Sequence, residues 1–346
     1  MTDLRLFRDR PVSVLVVKLS SLGDVIHVTG ALRAIRQALP LARIALAVEG
    51  RWHDVVCHNP NVDLLVEAAP EHRLSLSYLG EIRRRLAAHG PYDIAMDFQG
   101  TRRSAAWVYL SRARVKMGRG RFRPGWRQAC EPDLTQHAVT VCADLCRTAG
   151  IGVVDAAPEI HTDVREEERI GRVLAEEGLP PRGYVVLNPF SRWPSKSWPL
   201  ENAAEVIRRL QAATQRPLVL SGGPEDRDHA AALQALLGPC VVPSLVGRLS
   251  LGAALCLIRR SRLMVSCDSG PMHAAAAFGV PTIALFGPTH AERTGPWGPG
   301  HRVLQAKRPP IHHAYRTDPG GTYMRLLDVN AICDAILSEL STGEVS

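Results

Sequence analysis

The first strongly apolar run of the chain and the loop after it read Val12-Ser13-Val14-Leu15-Val16-Val17-Lys18-Leu19-Ser20-Ser21-Leu22-Gly23-Asp24. β-Branched residues dominate the run from Val12 to Val17, which predicts a strand buried on both faces of a parallel sheet. A polar loop follows, and Asp24 begins a predicted helix that ends before Pro40. Strand, loop and helix in this order form the unit from which doubly wound α/β sheets are built.

The same unit recurs along the chain in two series, and the second series begins near residue 184. A polar stretch from about Gly150 to Arg182, rich in Gly, Pro, Asp and Glu, separates the series and is the predicted linker. We therefore predict the α/β class with two Rossmann-like doubly wound domains, residues 1–165 and 166–346. A last helix is predicted over residues 329–340 and could pack back on the first domain.

Composition sets limits on the class of protein. A chain of 346 residues suits two domains, and its 46% apolar and 22% charged residues argue against disorder. No run approaches the roughly 18 uncharged apolar residues of a membrane helix, and no secretory leader is recognisable, which predicts a cytoplasmic protein. The eight cysteines include no C-x-x-C pair, so Cys142 and Cys146 are predicted to be reduced core thiols.

Charge is unevenly distributed. The 42 basic and 34 acidic residues give a net charge of +8, and residues 1–160 hold 22 of the basic and 16 of the acidic ones. The run from Arg102 to Arg127 contains nine basic residues and no acidic one. Such a run suits nucleic acid, a membrane surface or a phosphorylated substrate, and it is equally typical of solvated faces in an arginine-rich chain.

Ligands of doubly wound sheets bind beyond the carboxyl ends of the strands, so the loops there are the candidate sites. After the first strand, Gly23 permits close backbone approach, and the helix start offers N–H groups to an anion. Asp24 is either a helix N-cap or a catalytic carboxylate. The loop fits neither the dinucleotide-binding nor the P-loop fingerprint.

Two loops of the second series predict an anion site. The loop from Asn188 to Pro199 contains Lys196, one of only four lysines, which either binds a phosphate or is simply exposed. The stretch from Ser266 to His273 combines a possible helix cap with a glycine and a proline, which suits a diphosphate at a helix start. The turn from Gly222 to Asp226 lies at the same sheet edge, and no His/Cys/Asp cluster shows metal-ligand spacing.

Taken together, these segments resemble glycosyltransferase family 9, the bacterial heptosyltransferases. Residues 16–27 resemble the family's opening motif, most of all that of its heptosyltransferase I branch, and Asp97-Phe98-Gln99-Gly100 resembles the next motif. Ser191 to Pro199 resembles the donor loop, and Val265 to His273 with Phe286 to Thr289 resembles the nucleotide-binding block. The order of these segments, from residue 12 to residue 340, makes the resemblance specific.

The resemblance implies a GT-B fold, in which an acceptor domain and a nucleotide-sugar domain face a central cleft. It implies an inverting transfer of heptose from ADP-L-glycero-β-D-manno-heptose to Kdo–lipid A in lipopolysaccharide biosynthesis, without metal or cofactor. Asp24 would be the general base, with Asp97 as the next candidate. The implied donor-binding residues are Ser191, Arg192, Lys196, Asp226, Asp268, Ser269, Gly270 and His273. The acceptor-binding candidates are Ser21, Gly23, Arg119, Arg121, Arg123 and Arg127.

Two alternatives stay open at this point. A related family 9 transferase would act on another acceptor, as heptosyltransferase II does, and the absence of cysteines between Pro309 and Arg325 departs from many family members. A nucleic-acid-binding protein is suggested by the pI of 9.3, although no helix-turn-helix, zinc or RNA-binding signature supports it. The expected partners are the donor, the anionic glycolipid acceptor and, peripherally, the inner face of the cytoplasmic membrane, with no nucleic acid.

Overall fold

The computed structural model describes residues 3–70, 74–120, 125, 126, 128–130, 133, 135–307, 314–316, 318 and 320–342. The chain divides into two compact domains, Met1–His161 and Thr162–Ser346. The division falls slightly before the predicted boundary because Thr162 already bonds within the second domain. Its hydroxyl donates to Glu167 at 2.9 Å and accepts from Arg259 at 2.6 Å.

The first domain contains a six-stranded sheet in which all pairs are parallel. Its elements are β1 Ser13–Val17, α1 Leu22–His27, α2 Thr29–Ala38, β2 Arg43–Glu49, α3 His53–Val56, β3 Leu64–Ala68, α4 Leu76–His89, β4 Ile94–Asp97, α5 Arg102–Leu110, β5 Val115–Arg119, β6 Gln128–Cys130 and α6 Ala138–Thr148. The strand order is β3-β2-β1-β4-β5-β6.

The second domain repeats the scheme with five parallel strands. Its elements are α7 Val164–Glu176, β7 Val185–Asn188, α8 Leu200–Ala213, β8 Leu218–Leu220, α9 Arg227–Leu237, α10 Leu251–Arg260, β9 Leu263–Cys267, α11 Gly270–Ala277, β10 Thr282–Phe286, α12 Ala291–Thr294, β11 His301–Gln305, α13 Thr322–Arg325 and α14 Val329–Ser341. The strand order is β11-β10-β9-β7-β8.

Strand order locates one switch point in each sheet. In the first sheet the chain builds outward in one direction from β1 through β2 to β3, and in the other from β4. In the second sheet the corresponding point lies between β7 and β9. Ligands of open α/β sheets bind at the carboxyl ends of the strands beside such points. The loops after β1, β4, β7 and β9 therefore hold the candidate sites, and the α/β class with two doubly wound sheets is confirmed.

The predicted linker is wrong over part of its length, because α7 lies inside it. Ile170 and Leu174 stand four residues apart on this helix and are both buried, so a polar sequence still carries a narrow apolar face. Glu167 fixes the helix to α10, where Arg260 Nε donates to its carboxylate at 2.7 Å.

The predicted helix from Asp24 to Leu39 is two helices, with α1 beginning at Leu22 and the break at Val28. The Thr29 hydroxyl fixes the break, since it donates to the Ile26 carbonyl at 2.7 Å and accepts from the Glu159 N–H at 2.8 Å.

The last helix, α14, packs within the second domain. Ile332, Ile336 and Leu340 are buried in that domain's core, and Arg209 of α8 donates to Asn330 at 2.7 Å. Among the described helices, none combines the length and the apolar character needed to cross a bilayer.

Candidate functional site

The loop after β1 presents a carboxylate. Ser21 immediately precedes α1, and Asp24 is the third residue of that helix. The Asp24 side chain is 41% exposed, whereas the Lys18 side chain at the start of the loop is only 2% exposed. Of these two oppositely charged groups, the carboxylate is therefore the one that a ligand can reach.

Asp24 is held by hydrogen bonds on both oxygens. Lys18 Nζ lies 3.0 Å from Asp24 Oδ1 and 3.4 Å from the Phe98 carbonyl oxygen. Asp24 Oδ2 accepts from the Ser21 N–H at 3.2 Å and from the Ser21 hydroxyl at 3.0 Å. Burial opposes ionisation of Asp24, but the charges of Lys18 and His27 and these hydrogen bonds outweigh it, so its pKa lies well below 3.8. Asp24 is ionised at neutral pH.

Asp24 is not the N-cap of its helix. Ser21 occupies that position, and the Asp24 carboxylate accepts from the Ser21 N–H as the third-residue member of a capping box. The prediction of Asp24 as the N-cap is therefore wrong, because Asp24 is the third residue of the helix. A capping box also has no need of a buried lysine, so the Lys18 contact is a feature that capping leaves unexplained.

Asp97, the second candidate base, is fully buried at the end of β4. Its Oδ1 accepts from the backbone N–H groups of Gln99 and Gly100, both at 2.9 Å, and its Oδ2 accepts from the Ser104 hydroxyl at 3.0 Å. These bonds fix the loop after β4 and the first turn of α5. Asp97 has the contacts of a structural carboxylate.

The predicted acceptor residues that can be placed lie around this loop. Ser21 is exposed and Gly23 is buried beside Asp24. Arg119, at the end of β5, donates from Nη1 to the Phe98 carbonyl at 3.2 Å, the same oxygen that Lys18 approaches. Three further candidates, Arg121, Arg123 and Arg127, lie outside the described residues.

A cavity of about 310 Å³ opens at the same sheet edge. Its lining residues come from the loops after β1 and β4 and from the start of α5, and they are Leu19, Ser20, Gln99, Thr101, Arg102 and Arg103. The first two arginines of the predicted basic run have different surroundings. Arg103 pairs with the buried Glu49, whereas Arg102 is exposed. Trp107 and Trp126, within that run, are buried in the core.

In the second domain, the loop after β7 places an ammonium against a carboxylate from the loop after β9. Lys196 Nζ lies 2.7 Å from Asp268 Oδ2, and the Thr289 hydroxyl donates to the same oxygen at 2.8 Å. The Lys196 side chain is 15% exposed and that of Asp268 is 6% exposed. Burial opposes ionisation of Asp268, but Lys196, His273 and Thr289 outweigh it and lower its pKa.

The other predicted residues of the loop after β7 surround this pair. Ser191 accepts from the Trp193 N–H at 3.4 Å, and its own N–H donates to Ser197 Oγ at 3.0 Å, which shapes the turn that carries Lys196. Arg192 is exposed. The predicted phosphate-binding lysine and its neighbours are thus brought to one place.

At the start of α11, the predicted cap residue and glycine are present at the helix start, with one correction. Ser269 is the N-cap residue and Gly270 begins the helix, but the Ser269 side chain makes no capping bond. Its hydroxyl lies 3.0 Å from the hydroxyl of Ser266 instead. His273 is buried one turn into the helix. The first turn of a helix leaves backbone N–H groups without intrahelical partners, which is the kind of feature that suits an anion.

Asp226 follows β8 and shapes its own turn. Its Oδ2 accepts from the Gly223 N–H at 2.8 Å. Burial raises the pKa of Asp226, the Gly223 hydrogen bond lowers it, and the neighbouring charge of Glu225 raises it further.

Several contacts were not predicted from the sequence, among them Lys18 on Asp24, Lys196 and Thr289 on Asp268, and Tyr315 on Lys196. The Lys196 ammonium lies 4.7 Å from the centre of the Tyr315 ring, and the Ser195 hydroxyl donates to the Tyr315 carbonyl at 2.7 Å. Tyr315 is more than a hundred residues from Lys196 in the chain, so no local pattern could have indicated the contact.

One group of side chains in the described part of the chain could hold a metal ion. Ligand atoms of His53, Asp54 and Cys57, at α3, lie within 4.8 Å of one another. This cluster was not predicted from the sequence because its spacing matches no common metal motif. None of the three residues belongs to the loops described above.

The fold agrees with comparisons to known proteins. Residues 80–324 match the family described as glycosyltransferase family 9 (heptosyltransferase). Lipopolysaccharide heptosyltransferase 1 of Pseudomonas aeruginosa is 31% identical to this chain over 301 residues, which cover 82% of this chain and 81% of that protein.

Solved structures show the same architecture. The family 9 glycosyltransferase of Veillonella parvula superposes with a TM-score of 0.84 at 24% identity, covering 97% of this chain and 99% of that one. Heptosyltransferase WaaC of E. coli, solved with ADP-2-deoxy-2-fluoro heptose, gives a TM-score of 0.70 at 25% identity over 94% of this chain and 99% of that one. The chain is therefore a glycosyltransferase with the GT-B class of fold, and it belongs to glycosyltransferase family 9, the heptosyltransferases.

Proposed function

We propose that this protein transfers heptose from ADP-L-glycero-β-D-manno-heptose to a hydroxyl of Kdo–lipid A, with inversion at the anomeric carbon. Two comparisons support the proposal. The Pseudomonas relative is named a lipopolysaccharide heptosyltransferase 1, and the WaaC structure contains an analogue of ADP-heptose.

One structural observation carries the assignment of roles. Each domain places a lysine–aspartate pair at the switch point of its sheet, and the reachable partner differs between the two pairs. In the first pair the aspartate is 41% exposed and the lysine 2%, while in the second the lysine is 15% exposed and the aspartate 6%. The first site therefore offers a carboxylate to a ligand, and the second offers an ammonium.

These two groups suit the two ends of an inverting transfer. Asp24 takes the proton of the acceptor hydroxyl as its oxygen bonds to the anomeric carbon. Lys196, with Arg192 and the start of α11, neutralises the charge that develops on the departing ADP. Asp226, Asp268, Ser269, Gly270 and His273 are proposed to line the donor site around them.

The acceptor is assigned on its charge. Kdo and the phosphates of lipid A are anionic, and the described part of the first domain offers them Arg102 and Arg119 near Asp24. The predicted residues Ser21, Gly23, Arg121, Arg123 and Arg127 belong to the same proposal. Because such an acceptor is a membrane lipid, we propose a peripheral association with the inner face of the cytoplasmic membrane.

The test is a transfer assay with mass analysis of the glycolipid. ADP-heptose and Kdo–lipid A are expected to give a product that carries one additional heptose. A parallel reaction uses Kdo–lipid A that already bears one heptose. Transfer only to this second acceptor would overturn the proposed acceptor and favour a heptosyltransferase II type of activity.

Calorimetry with ADP, UDP and GDP tests the donor independently of the acceptor. We expect ADP to bind more tightly than the other two nucleotides. Equal or tighter binding of UDP or GDP would contradict the proposed donor, whatever the acceptor is.

A further inference from the structure

Lys18 is the most deeply buried charged group at the candidate catalytic loop. Its ammonium has two partners, Asp24 Oδ1 at 3.0 Å and the Phe98 carbonyl at 3.4 Å. Of the carboxylates in the described ranges, only that of Asp24 lies within ion-pair distance of Lys18. A buried ammonium is costly unless it is paired, so the stability of this loop depends on Asp24 being ionised.

The hydrogen bonds also distinguish the two oxygens of Asp24. Oδ2 accepts two bonds from Ser21, one from its N–H and one from its hydroxyl, and these occupy both lone pairs. Among the described residues, only Lys18 donates to Oδ1, which leaves this oxygen one lone pair. Because the side chain is 41% exposed, a substrate hydroxyl can reach the carboxylate while Lys18 remains bound.

Two further buried carboxylates lie near this loop, and both are bonded elsewhere. Asp97 accepts from Gln99, Gly100 and Ser104, and Glu49 pairs with Arg51 and Arg103. Besides Lys18, the titratable groups that face Asp24 are His27 of α1, with His137 beside it, Arg119 of β5 and Cys142 of α6. The charged groups on the neighbouring α2 and α3 are paired elsewhere: Arg33 with Asp155 and Glu159, Arg36 with Asp63, and His53 with Asp54. Among the described carboxylates, Asp24 is thus the one that pairs with Lys18.

Resting on the proposed function, in which Asp24 is the base, we propose that Lys18 is a positioning residue. Its buried ammonium keeps Asp24 ionised and leaves Oδ1 as the oxygen that takes the acceptor proton. In that step the acceptor oxygen bonds to the anomeric carbon, the bond to the donor phosphate breaks, and its electron pair leaves with ADP. The proton on Oδ1 then passes to solvent, because a neutral Asp24 would leave Lys18 unpaired.

The test compares Lys18→Met with Lys116→Met. Lys116 is a half-buried lysine of the same domain whose Nζ donates only to the Ala113 carbonyl among the described residues, so it controls for loss of a lysine. In the wild type and in Lys116→Met, kcat/KM should show no loss of activity from Asp24 protonation above about pH 4. In Lys18→Met the pKa of Asp24 rises. As the pH is lowered, kcat/KM should therefore begin to fall at a higher pH than in the wild type.

The proposal is overturned if Lys18→Met and the wild type give superimposable pH profiles between pH 4.5 and 8 and also superimposable titration curves of Asp24. Titration of ¹³C-labelled aspartate carboxyls, with the Asp24 signal identified by its loss in Asp24→Asn, therefore accompanies the kinetics. The wild-type signal should stay that of an ionised carboxylate down to about pH 3.9, and the Lys18→Met signal should titrate above that value. A wild-type midpoint above pH 4.5 would overturn the proposal.

Folding is checked with the double variant Lys18→Met/Asp24→Asn. Asp24→Asn leaves a buried ammonium without a carboxylate and should lower Tm, and removal of both charges should recover part of that loss. Additive Tm changes would contradict the pairing.

Failure of this inference is distinguishable from failure of the proposed function. An Asp24→Asn variant that turns over normally would show that Asp24 is not the base. An inactive Asp24→Asn variant, together with a Lys18→Met variant of wild-type pH profile and titration, would remove only the role of Lys18.

Discussion

At the scale of single residues, the proposed contact of Lys196 with a diphosphate competes with contacts that its ammonium already makes. Its ammonium bonds Asp268 at 2.7 Å and faces the Tyr315 ring at 4.7 Å. A phosphate oxygen would compete with the carboxylate for the same three donors. The contribution of Lys196 to ADP affinity is therefore the difference in free energy between its contact with the phosphate and its contact with Asp268.

Replacing Lys196 by methionine keeps the aliphatic stem and removes the ammonium. We expect the affinity for ADP to fall by about 1.5–3 kcal/mol, the contribution of a hydrogen bond to a charged group. Calorimetric titration with ADP measures this loss, and Lys307→Met, at an exposed lysine of the same domain, should bind like the wild type. An unchanged Kd in Lys196→Met would remove Lys196 from the donor site.

Asp97 is expected to stabilise the protein without acting as the base. Asp97→Ala leaves the Gln99 and Gly100 N–H groups and the Ser104 hydroxyl without their buried acceptor. Lost buried partners of this kind should reduce the free energy of unfolding by about 2–4 kcal/mol, measured by urea denaturation. A variant as stable as the wild type but inactive would instead make Asp97 a catalytic group.

Residue positions could be predicted where the residue lies close to a predicted strand in the sequence. Asp24 and Lys196 belong to the loop regions after the buried strands β1 and β7, so their positions at the sheet edge could be predicted from the strand pattern. Their partners could not all be predicted in the same way, because Lys196 meets Asp268 through the register of β7 with β9. Lys18 was visible as a scarce lysine, but its burial depends on the packing around the first sheet.

At the scale of elements, central strands were predictable and several peripheral ones were not. β1 and β9 are apolar runs with nearly every residue buried. β11 is a half-exposed edge strand of mixed sequence, His301–Gln305, and β5 includes a lysine, a glycine and an arginine. The hydrophobic criterion detects burial on both faces, so strands that are solvated on one face escape it.

Two glycines in helices should respond oppositely to alanine. A Cβ on Gly30 of α2 would lie 2.3 Å from the Ala156 carbonyl oxygen, so Gly30→Ala should cost about 1–3 kcal/mol of stability. A Cβ on Gly171 of α7 would meet only an arginine side chain at 3.5 Å, so Gly171→Ala should stabilise by about 0.5–1 kcal/mol. Denaturant unfolding of both variants tests the packing of α2, and a neutral Gly30→Ala would contradict it.

At the scale of the whole molecule, the net charge of +8 is concentrated in the domain assigned to the acceptor. Attraction between exposed charges is screened by salt over a Debye length of about 8–10 Å at physiological ionic strength. An anionic acceptor should therefore bind less tightly as salt increases, through the arginines assigned to it.

The paired change Arg121→Ala/Arg123→Ala tests this use of the charge. It should raise the KM for the acceptor, most strongly at low salt, and leave the Kd for ADP unchanged. Steady-state kinetics at two salt concentrations, with calorimetry for ADP, measure both. An unchanged acceptor KM together with weakened ADP binding would reverse the assignment of the two domains.

The central claim is that Asp24 is the base of a glycosyl transfer, and Asp24→Asn tests it most directly. Asparagine keeps the shape of the side chain but cannot accept a proton, so kcat should fall by about 10²–10⁴-fold while the Kd for ADP stays unchanged. Because Lys18 loses its counter-charge, Tm should also fall, so turnover is measured at a temperature where circular dichroism shows the variant folded. Turnover within a few-fold of the wild type under those conditions would contradict the claim and leave Asp24 as a capping-box residue.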